Sequence, residues 1–187
     1  MKKALIISAL VIGAATVRAD QNMNTASGST DRSVFQASLT PNIAIHPRTT
    51  EIHGLSLNIY GENPQHGVAL GFVNGSTGES GGFTWGMYNY NDSFTGVQWG
   101  IVNNSKEYFK GWQGGMVNLS KGKFIGWQDG WVNWSQEVHG LQTGLVNYSE
   151  NLHGVQLGLI NVAANNDWFK DMPHKFAKGF PFFNWSF

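Results

Sequence analysis

A short repeat constrains the fold of this 187-residue chain more than any other feature of its sequence. Each clear copy begins with glycine, has a second glycine four positions later and closes on asparagine. Self-similarity at a nearly fixed period is the signature of a repeat architecture. A degenerate first copy, GLSLNIYG at 54–61, lacks the second glycine. The clear copies are GVALGFVN at 67–74, GFTWGMYN at 82–89, GVQWGIVN at 96–103, GWQGGMVN at 111–118, GWQDGWVN at 126–133, GLQTGLVN at 140–147 and GVQLGLIN at 154–161.

The residue types within the repeat indicate β-structure. Different kinds of side chain alternate along each copy, as they do along a strand whose successive side chains point to opposite faces. Glycine is abundant, with 24 residues, and no helical periodicity extends beyond the N-terminal segment. We therefore predict an all-β protein.

The links between copies favour stacking over an up-and-down arrangement. A meander alternates two kinds of turn, yet the links NLSKGKFIG, NWSQEVHG and NYSENLHG resemble one another. We predict a repeat β-solenoid-like stack of about eight 14–15-residue units, in which equal positions lie above each other. The alternative is an 8–10-stranded antiparallel outer-membrane β-barrel. The aromatic C-terminal segment GFPFFNWSF favours that alternative, and the mid-strand glutamines oppose it.

Stacking of the copies predicts two columns of polar side chains, one of asparagines and one of glutamines. Equal positions of neighbouring units would lie about 4.8 Å apart, so their amides can bond to one another as structural ladders. The glutamine ladder should be incomplete at its N-terminal end, because Ser56, Ala69 and Thr84 stand where later copies have glutamine. Repeated Asn-x-Ser triplets are interpreted as ladder and turn chemistry, not as glycosylation sites. The predicted ladder residues are Asn74, Asn89, Asn103, Asn118, Asn133, Asn147 and Asn161, with Gln98, Gln113, Gln128, Gln142 and Gln156.

The N-terminus predicts export. The basic start Met1-Lys2-Lys3 precedes an apolar run, and Val17-Arg18-Ala19 has the small or aliphatic residues that signal peptidase recognises. Residues 1–19 are therefore predicted to be a signal peptide that is cleaved after Ala19. After passage through the inner membrane, we expect the chain in the periplasm, in the outer membrane or at the cell surface. The other predicted segments are a polar leader with a first strand at 33–45 (20–47), the repeat domain (48–161), and a connector with a C-terminal aromatic capping strand (162–187).

Charge and cysteine content exclude several functions. Cleavage would remove three of the 12 basic residues and none of the 12 acidic residues, which leaves a net charge of −3. Without a basic patch, nucleic-acid binding is not expected. Without cysteine, disulfides, thiolate nucleophiles and cysteine-bound metals are excluded.

The sequence has no catalytic motif, and we expect no enzyme activity, no catalytic residue, no cofactor and no metal site. His53, His66, His139 and His153 each precede the first glycine of a copy, where stacked histidines could share a metal. The same position also holds threonine, lysine and isoleucine, so we interpret it as a tolerant surface column. The acidic residues of the links are interpreted as a solvated edge; they are Glu79, Asp92, Glu107, Glu137 and Glu150.

Tryptophans supply the candidate interaction surface. Exposed aromatic stripes bind glycans or partner proteins, although packing between units is the more common role of such residues. The candidate partners are envelope components, glycans or other proteins. The candidate residues are Trp99, Trp112, Trp127, Trp131 and Trp134.

The run GLQTGLVNYSENLHGVQLGLINVA, followed by FPFFNWSF, resembles a family of exported bacterial surface-repeat proteins. That family is built from Gly-Val-Gln-x-Gly-Leu-Val-Asn units, and the resemblance covers 52–187. It implies an envelope location and no established catalytic site. We therefore expect a non-enzymatic exported cell-envelope repeat protein that serves as a structural or interaction surface. The alternatives are a small outer-membrane β-barrel acting as a pore or membrane stabiliser, and a glycan-binding protein or envelope hydrolase.

Overall fold

The computed structural model describes residues 31–166 and 178–187. The predicted signal peptide, the first part of the polar leader and most of the predicted connector lie outside the described residues. Within the described ranges, no helix has the length and apolar character needed to span a bilayer.

All strands belong to one sheet, ordered β2-β1-β3-β4-β5. The elements are β1 (Arg32–Thr40), β2 (Ile43–Ala44), β3 (Glu51–Asn63), β4 (His66–Ala163) and β5 (Gly179–Ser186). The strand expected at 33–45 is present as β1 and β2, which are joined by a tight turn and pair antiparallel. β1 in turn pairs with β3 in parallel. The all-β prediction is confirmed.

The length of β4 shows that the repeats coil. A straight strand of its 98 residues would extend roughly 320 Å. Instead, equal positions of successive copies touch: a methyl group built on Gly111 would lie 1.9 Å from the carbonyl oxygen of Gly96. β3 joins the same arrangement in parallel, with Leu55 opposite Val68 and Tyr60 opposite Val73. The copies therefore form a repeat stack.

The alternative of an antiparallel barrel is wrong for the described residues. β1 pairs with β3, and β3 with β4, in parallel, whereas a meander would place neighbouring copies antiparallel. The sheet also has two ends, at β2 and β5, and does not close. The links resemble one another, and each returns the chain to the same starting side for the next copy. Successive copies therefore run in the same direction.

A narrow apolar column runs through the interior, and the sequence analysis missed it. It lies in the links, two positions before the first glycine of each copy. The rings of Phe94 and Phe109 stack at 5.7 Å between centroids, and those of Phe109 and Phe124 at 5.3 Å. The full buried cluster is Phe94, Phe109, Phe124, Val138, Leu152 and Ala163.

The C-terminal segment covers the last copy. β5 pairs antiparallel with it, with Val155 opposite Trp185 and Leu157 opposite Phe183. The register shifts after Gly158, beside Phe182, whose φ of 72° is unusual for a residue other than glycine. Because an uncovered sheet edge can pair with other chains, β5 protects this end of the stack.

Candidate functional site

The asparagines form one continuous hydrogen-bonded column. From Asn74 onward they are essentially inaccessible to solvent, and Asn58 of the degenerate first copy joins the column. Buried amides left without partners cost about 1–3 kcal/mol each, so the column is favourable only while the copies stay in register. The Nδ2–Oδ1 distances are 2.9 Å for Asn58–Asn74, Asn74–Asn89 and Asn89–Asn103, and 2.8 Å for Asn103–Asn118, Asn118–Asn133, Asn133–Asn147 and Asn147–Asn161.

Each asparagine also fixes a bend of the next copy. Asn89 Nδ2, for example, donates to the carbonyl oxygen of Trp99 at 3.0 Å, immediately before Gly100. A methyl group on Gly100 would lie 2.1 Å from the oxygen of Gly86 and 2.6 Å from Asn89 Nδ2. The second glycine of the repeat is therefore required for the close approach of the amide and the neighbouring backbone.

The glutamines form a second buried ladder. Their Nε2–Oε1 distances are 3.0 Å for Gln113–Gln98 and Gln128–Gln113, and 2.8 Å for Gln142–Gln128 and Gln156–Gln142. Asn184 of β5 extends the ladder by donating to Gln156 Oε1 at 3.3 Å. At the other end, Gln98 Nε2 and Thr84 Oγ1 are buried and have no hydrogen-bond partner in the described part of the chain.

The Asn-x-Ser triplets lie inside the stack. Asn103 and Ser105 are both fully buried, as are the equivalent pairs of the next three copies. Ser135 Oγ donates to Gln128 Oε1 at 2.7 Å and so joins this triplet to the glutamine ladder. In the folded stack these asparagines are inaccessible to a glycosylating enzyme.

The outer surface carries an apolar face along the second glycines. We define the apolar face as the exposed large apolar side chains that lie immediately before or after that glycine position in the copies. Their exposure ranges from 38% for Met116 to 60% for Trp131. A groove of about 1030 Å³ runs along the face, with the glycines as its floor. The residues of the apolar face are Leu57, Ile59, Phe72, Trp85, Met87, Trp99, Ile101, Met116, Trp131, Leu145, Leu157 and Leu159.

The predicted tryptophans do not all lie on one surface. Trp99, Trp112 and Trp127 follow one another along the stack, with ring centroids 6.0 and 5.7 Å apart. Trp131 lines the groove together with Trp99 and Trp112. Trp134 instead stacks on Tyr148 at 6.2 Å and does not line the groove.

Charge is concentrated in the links. Between Gly54 and Asn161, Asp129 is the one charged residue on the line of the apolar face, and its Oδ1 accepts a hydrogen bond from Thr143 at 2.6 Å. Lys106 donates to Asp92 at 2.8 Å from one link to the next. The Lys106 ammonium and, to a smaller extent, the N–H of Gly78 hold the pKa of Asp92 below its ordinary value. The stack therefore has a charged side and an apolar side.

Two tyrosines and a glutamate form a hydrogen-bonded cluster in the N-terminal part of the stack. Tyr90 Oη donates a short hydrogen bond to Glu62 and lies 3.3 Å from Tyr60 Oη. Burial, together with the neighbouring Glu62 carboxylate, raises the pKa of Tyr90 above its ordinary range. The phenol is therefore a permanent hydrogen-bond donor here and does not act as a base.

Comparison of the chain with protein-family models, with curated proteins and with solved structures finds no match in any of the three. The resemblance to exported surface-repeat proteins remains a prediction. The apolar face and the buried ladders that position it are therefore the candidate functional features of the chain.

Proposed function

We propose that this chain is a non-catalytic repeat protein of the cell envelope, a β-solenoid of about eight units that attaches to a lipid surface through its apolar face. The single observation that supports this most strongly is the separation of charged links from a continuous row of exposed apolar side chains. The predicted signal peptide supports an envelope location.

The extent of the apolar face supports an interaction role. Eight copies at about 4.8 Å per step give a row roughly 34 Å long. Isolated exposed apolar residues are ordinary, but a contiguous patch of this kind marks a protein or membrane interaction site. The interior is too narrow to take these side chains, because the asparagine and glutamine ladders fill it.

The chemistry of the apolar face favours lipid over glycan. A glycan site needs several polar groups that fix the orientation of the sugar hydroxyls. Here the main polar side chains are Asp129 and Thr143, which bond to each other, and Trp127 Nε1 also donates to Thr143. Tryptophan is suited to the boundary between lipid headgroups and acyl chains. A lipid surface also accepts a row of varied apolar side chains without shape complementarity.

Vesicle flotation tests the proposal. The tag-free mature chain should float with neutral phosphatidylcholine vesicles, equally at low and high salt, because the attraction is apolar and the expected net charge is negative. The double variant Met87→Glu/Ile101→Glu places two charges on the apolar face and should remain unbound. The matched control Lys121→Gln/Gln136→Glu lowers the net charge of the links by the same two units and should still float.

Three results would overturn the proposal. The first is a wild-type chain that does not float with neutral vesicles. The second is flotation that requires anionic lipid and disappears in salt. The third is a link variant that loses binding as completely as the face variant. A chain that instead associates with itself in solution, and loses that association in the face variant, would assign the apolar face to a copy of the same protein.

A further inference from the structure

A histidine and carboxylate cluster lies at the start of the stack, away from the apolar face. Among the described residues, one group of three potential metal ligands brings its ligand atoms within 4.8 Å of one another: Glu51, His53 and His66. We propose that these three side chains bind a divalent transition-metal ion, with Zn²⁺ as the ion that fits them best.

The stack itself assembles the cluster. Ile52 pairs with Gln65 in parallel, and the Ile52 side chain is fully buried. Because side chains alternate along a strand, Glu51 and His53 on either side of Ile52 share the outer face, and His66 follows Gln65 onto it. The ligands are therefore held by neighbouring strands at fixed backbone positions.

The distances suit one ion. His53 Nε2 lies 3.0 Å from Glu51 Oε2, and the rings of His53 and His66 are 4.8 Å apart. Zinc bonds of about 2.0–2.2 Å in tetrahedral geometry require ligand atoms roughly 3.4 Å from one another. The three ligand atoms lie within 4.8 Å of one another, and both histidines are exposed, so their rings have room to turn toward a shared ion.

The donor set selects the class of metal. Two imidazoles and one carboxylate suit zinc and its neighbours, and leave a fourth position for water. Calcium and magnesium prefer sets made of oxygen atoms, and this cluster offers one carboxylate. Arg32 Nε donates to Glu51 Oε2 at 3.0 Å, a contact outside the ligand set that orients the carboxylate.

A second copy of the motif provides an internal control. Glu-x-His-Gly occurs at 51–54 and again at 137–140, and in both cases the next histidine lies one copy later. In the second copy His139 bonds to Glu137 at 2.7 Å and stacks on His153 at 4.7 Å. Among the described residues, only the first group brings all three ligand atoms within 4.8 Å of one another, so we expect the first group to bind the ion more tightly.

Calorimetric titration of the tag-free chain with zinc chloride tests the site, and the absorption spectrum of added Co²⁺ reports its geometry. The wild type should bind zinc saturably and give the visible bands of tetrahedral Co²⁺. His66→Ala should weaken the tighter zinc site by at least about 100-fold, because loss of a ligand costs more than loss of an outer contact. The matched variant His153→Ala should leave that site unchanged.

Urea unfolding without metal should show the same midpoint for both variants, which separates loss of the ion from loss of the fold. Absence of saturable zinc binding in the wild type would overturn the proposal. So would a His66→Ala variant that binds zinc as the wild type does. Loss of the tighter site in His153→Ala would place the ion at the second copy and equally contradict the assignment.

Discussion

The N-terminal part of the stack (54–95) and the C-terminal part (96–163) follow the same backbone path with different interiors. Both have the asparagine column and the close contacts between first glycines. In the C-terminal part a glutamine ladder fills the second interior column. In the N-terminal part the same column holds Ser56, Ala69 and Thr84, which do not bond to one another in series.

The apolar column differs in the same way. The C-terminal part buries Phe109, Phe124 and their equivalents, whereas the N-terminal part has Gln65 and Ser80 at the same position and only Phe94, at its boundary, belongs to the apolar column. Ser56 Oγ bonds to Gln65 Oε1 at 2.7 Å, so this part is satisfied by local polar contacts. The close glycine contacts and the asparagine column are the interior features that the two parts share. The stability of each part depends on its other interior columns, and we expect the C-terminal part to be the more stable.

The largest predicted effect comes from removing a first glycine. In Gly111→Ala, the added methyl group would meet the Gly96 carbonyl oxygen at 1.9 Å, at a φ of 137°. Because the neighbouring atoms belong to the backbone, they cannot move aside. We therefore expect the free energy of unfolding to fall by more than about 4 kcal/mol, or the chain not to fold. Gly67→Ala breaks the equivalent contact in the N-terminal part and should leave units from Gly96 onward protected in hydrogen exchange.

Gly78→Ala is the control, because its φ of 60° is left-handed but nothing lies within 4 Å of the added methyl group. This substitution should lower the free energy of unfolding by only about 1–2 kcal/mol. Equal urea midpoints for Gly111→Ala and Gly78→Ala would show that the first glycines are not packed against each other.

An intermediate effect should follow from interrupting the glutamine ladder. Gln113→Met keeps the side-chain volume but leaves Gln98 Oε1 and Gln128 Nε2 without their partners. Two orphaned buried groups should cost about 2–4 kcal/mol, measured as a lower urea midpoint. Thr84→Val, at the equivalent position of the N-terminal part, removes a hydroxyl that bonds to nothing described and should leave the midpoint unchanged or raised. A reversed order of the two midpoints would contradict the ladder as the source of the difference.

The smallest predicted effect concerns the ion pair that joins the two parts, Asp92 with Lys106. Because Lys106 lowers the folded-state pKa of Asp92, the pair stabilises the fold above the ordinary pKa of 3.8 and loses this contribution as pH falls further. Asp92→Asn should therefore cost at most about 1 kcal/mol at neutral pH. In acid, the urea midpoints of the variant and the wild type should converge; a difference that persists there would assign it to packing.

The stacking and the ladders could be predicted from the sequence because glycine and asparagine recur at fixed positions for a geometric reason. The apolar column could not be recognised as easily, since the residue at its position changes from Gln65 and Ser80 to Phe94 and then to Val138. Several of these residues lie beside lysine or glutamate, which is typical of a solvated link. The signal that would have found them is their constant place two residues before the first glycine.

The exposure of the apolar face could not be predicted from the sequence. In most domains large apolar side chains point inward, but here Asn103 and Gln98 occupy the interior and Ile101 faces outward. The sequence also brings histidines to one position without indicating that Glu51 would contact His53. That contact depends on the outer face of β3, which only the pairing of Ile52 with Gln65 establishes.

Electron paramagnetic resonance distances test the central claim, the in-register stacking of successive units, most directly. The chain has no cysteine, so pairs of introduced cysteines can carry spin labels without background. With one label at Thr77 and the other at the equivalent position of later units (Lys121, Gln136 or Glu150), the distance should rise steadily to about 14, 19 and 24 Å. Distances that instead alternate between long and short as the separation changes by one unit would mean that neighbouring units run in opposite directions, and would contradict the stack.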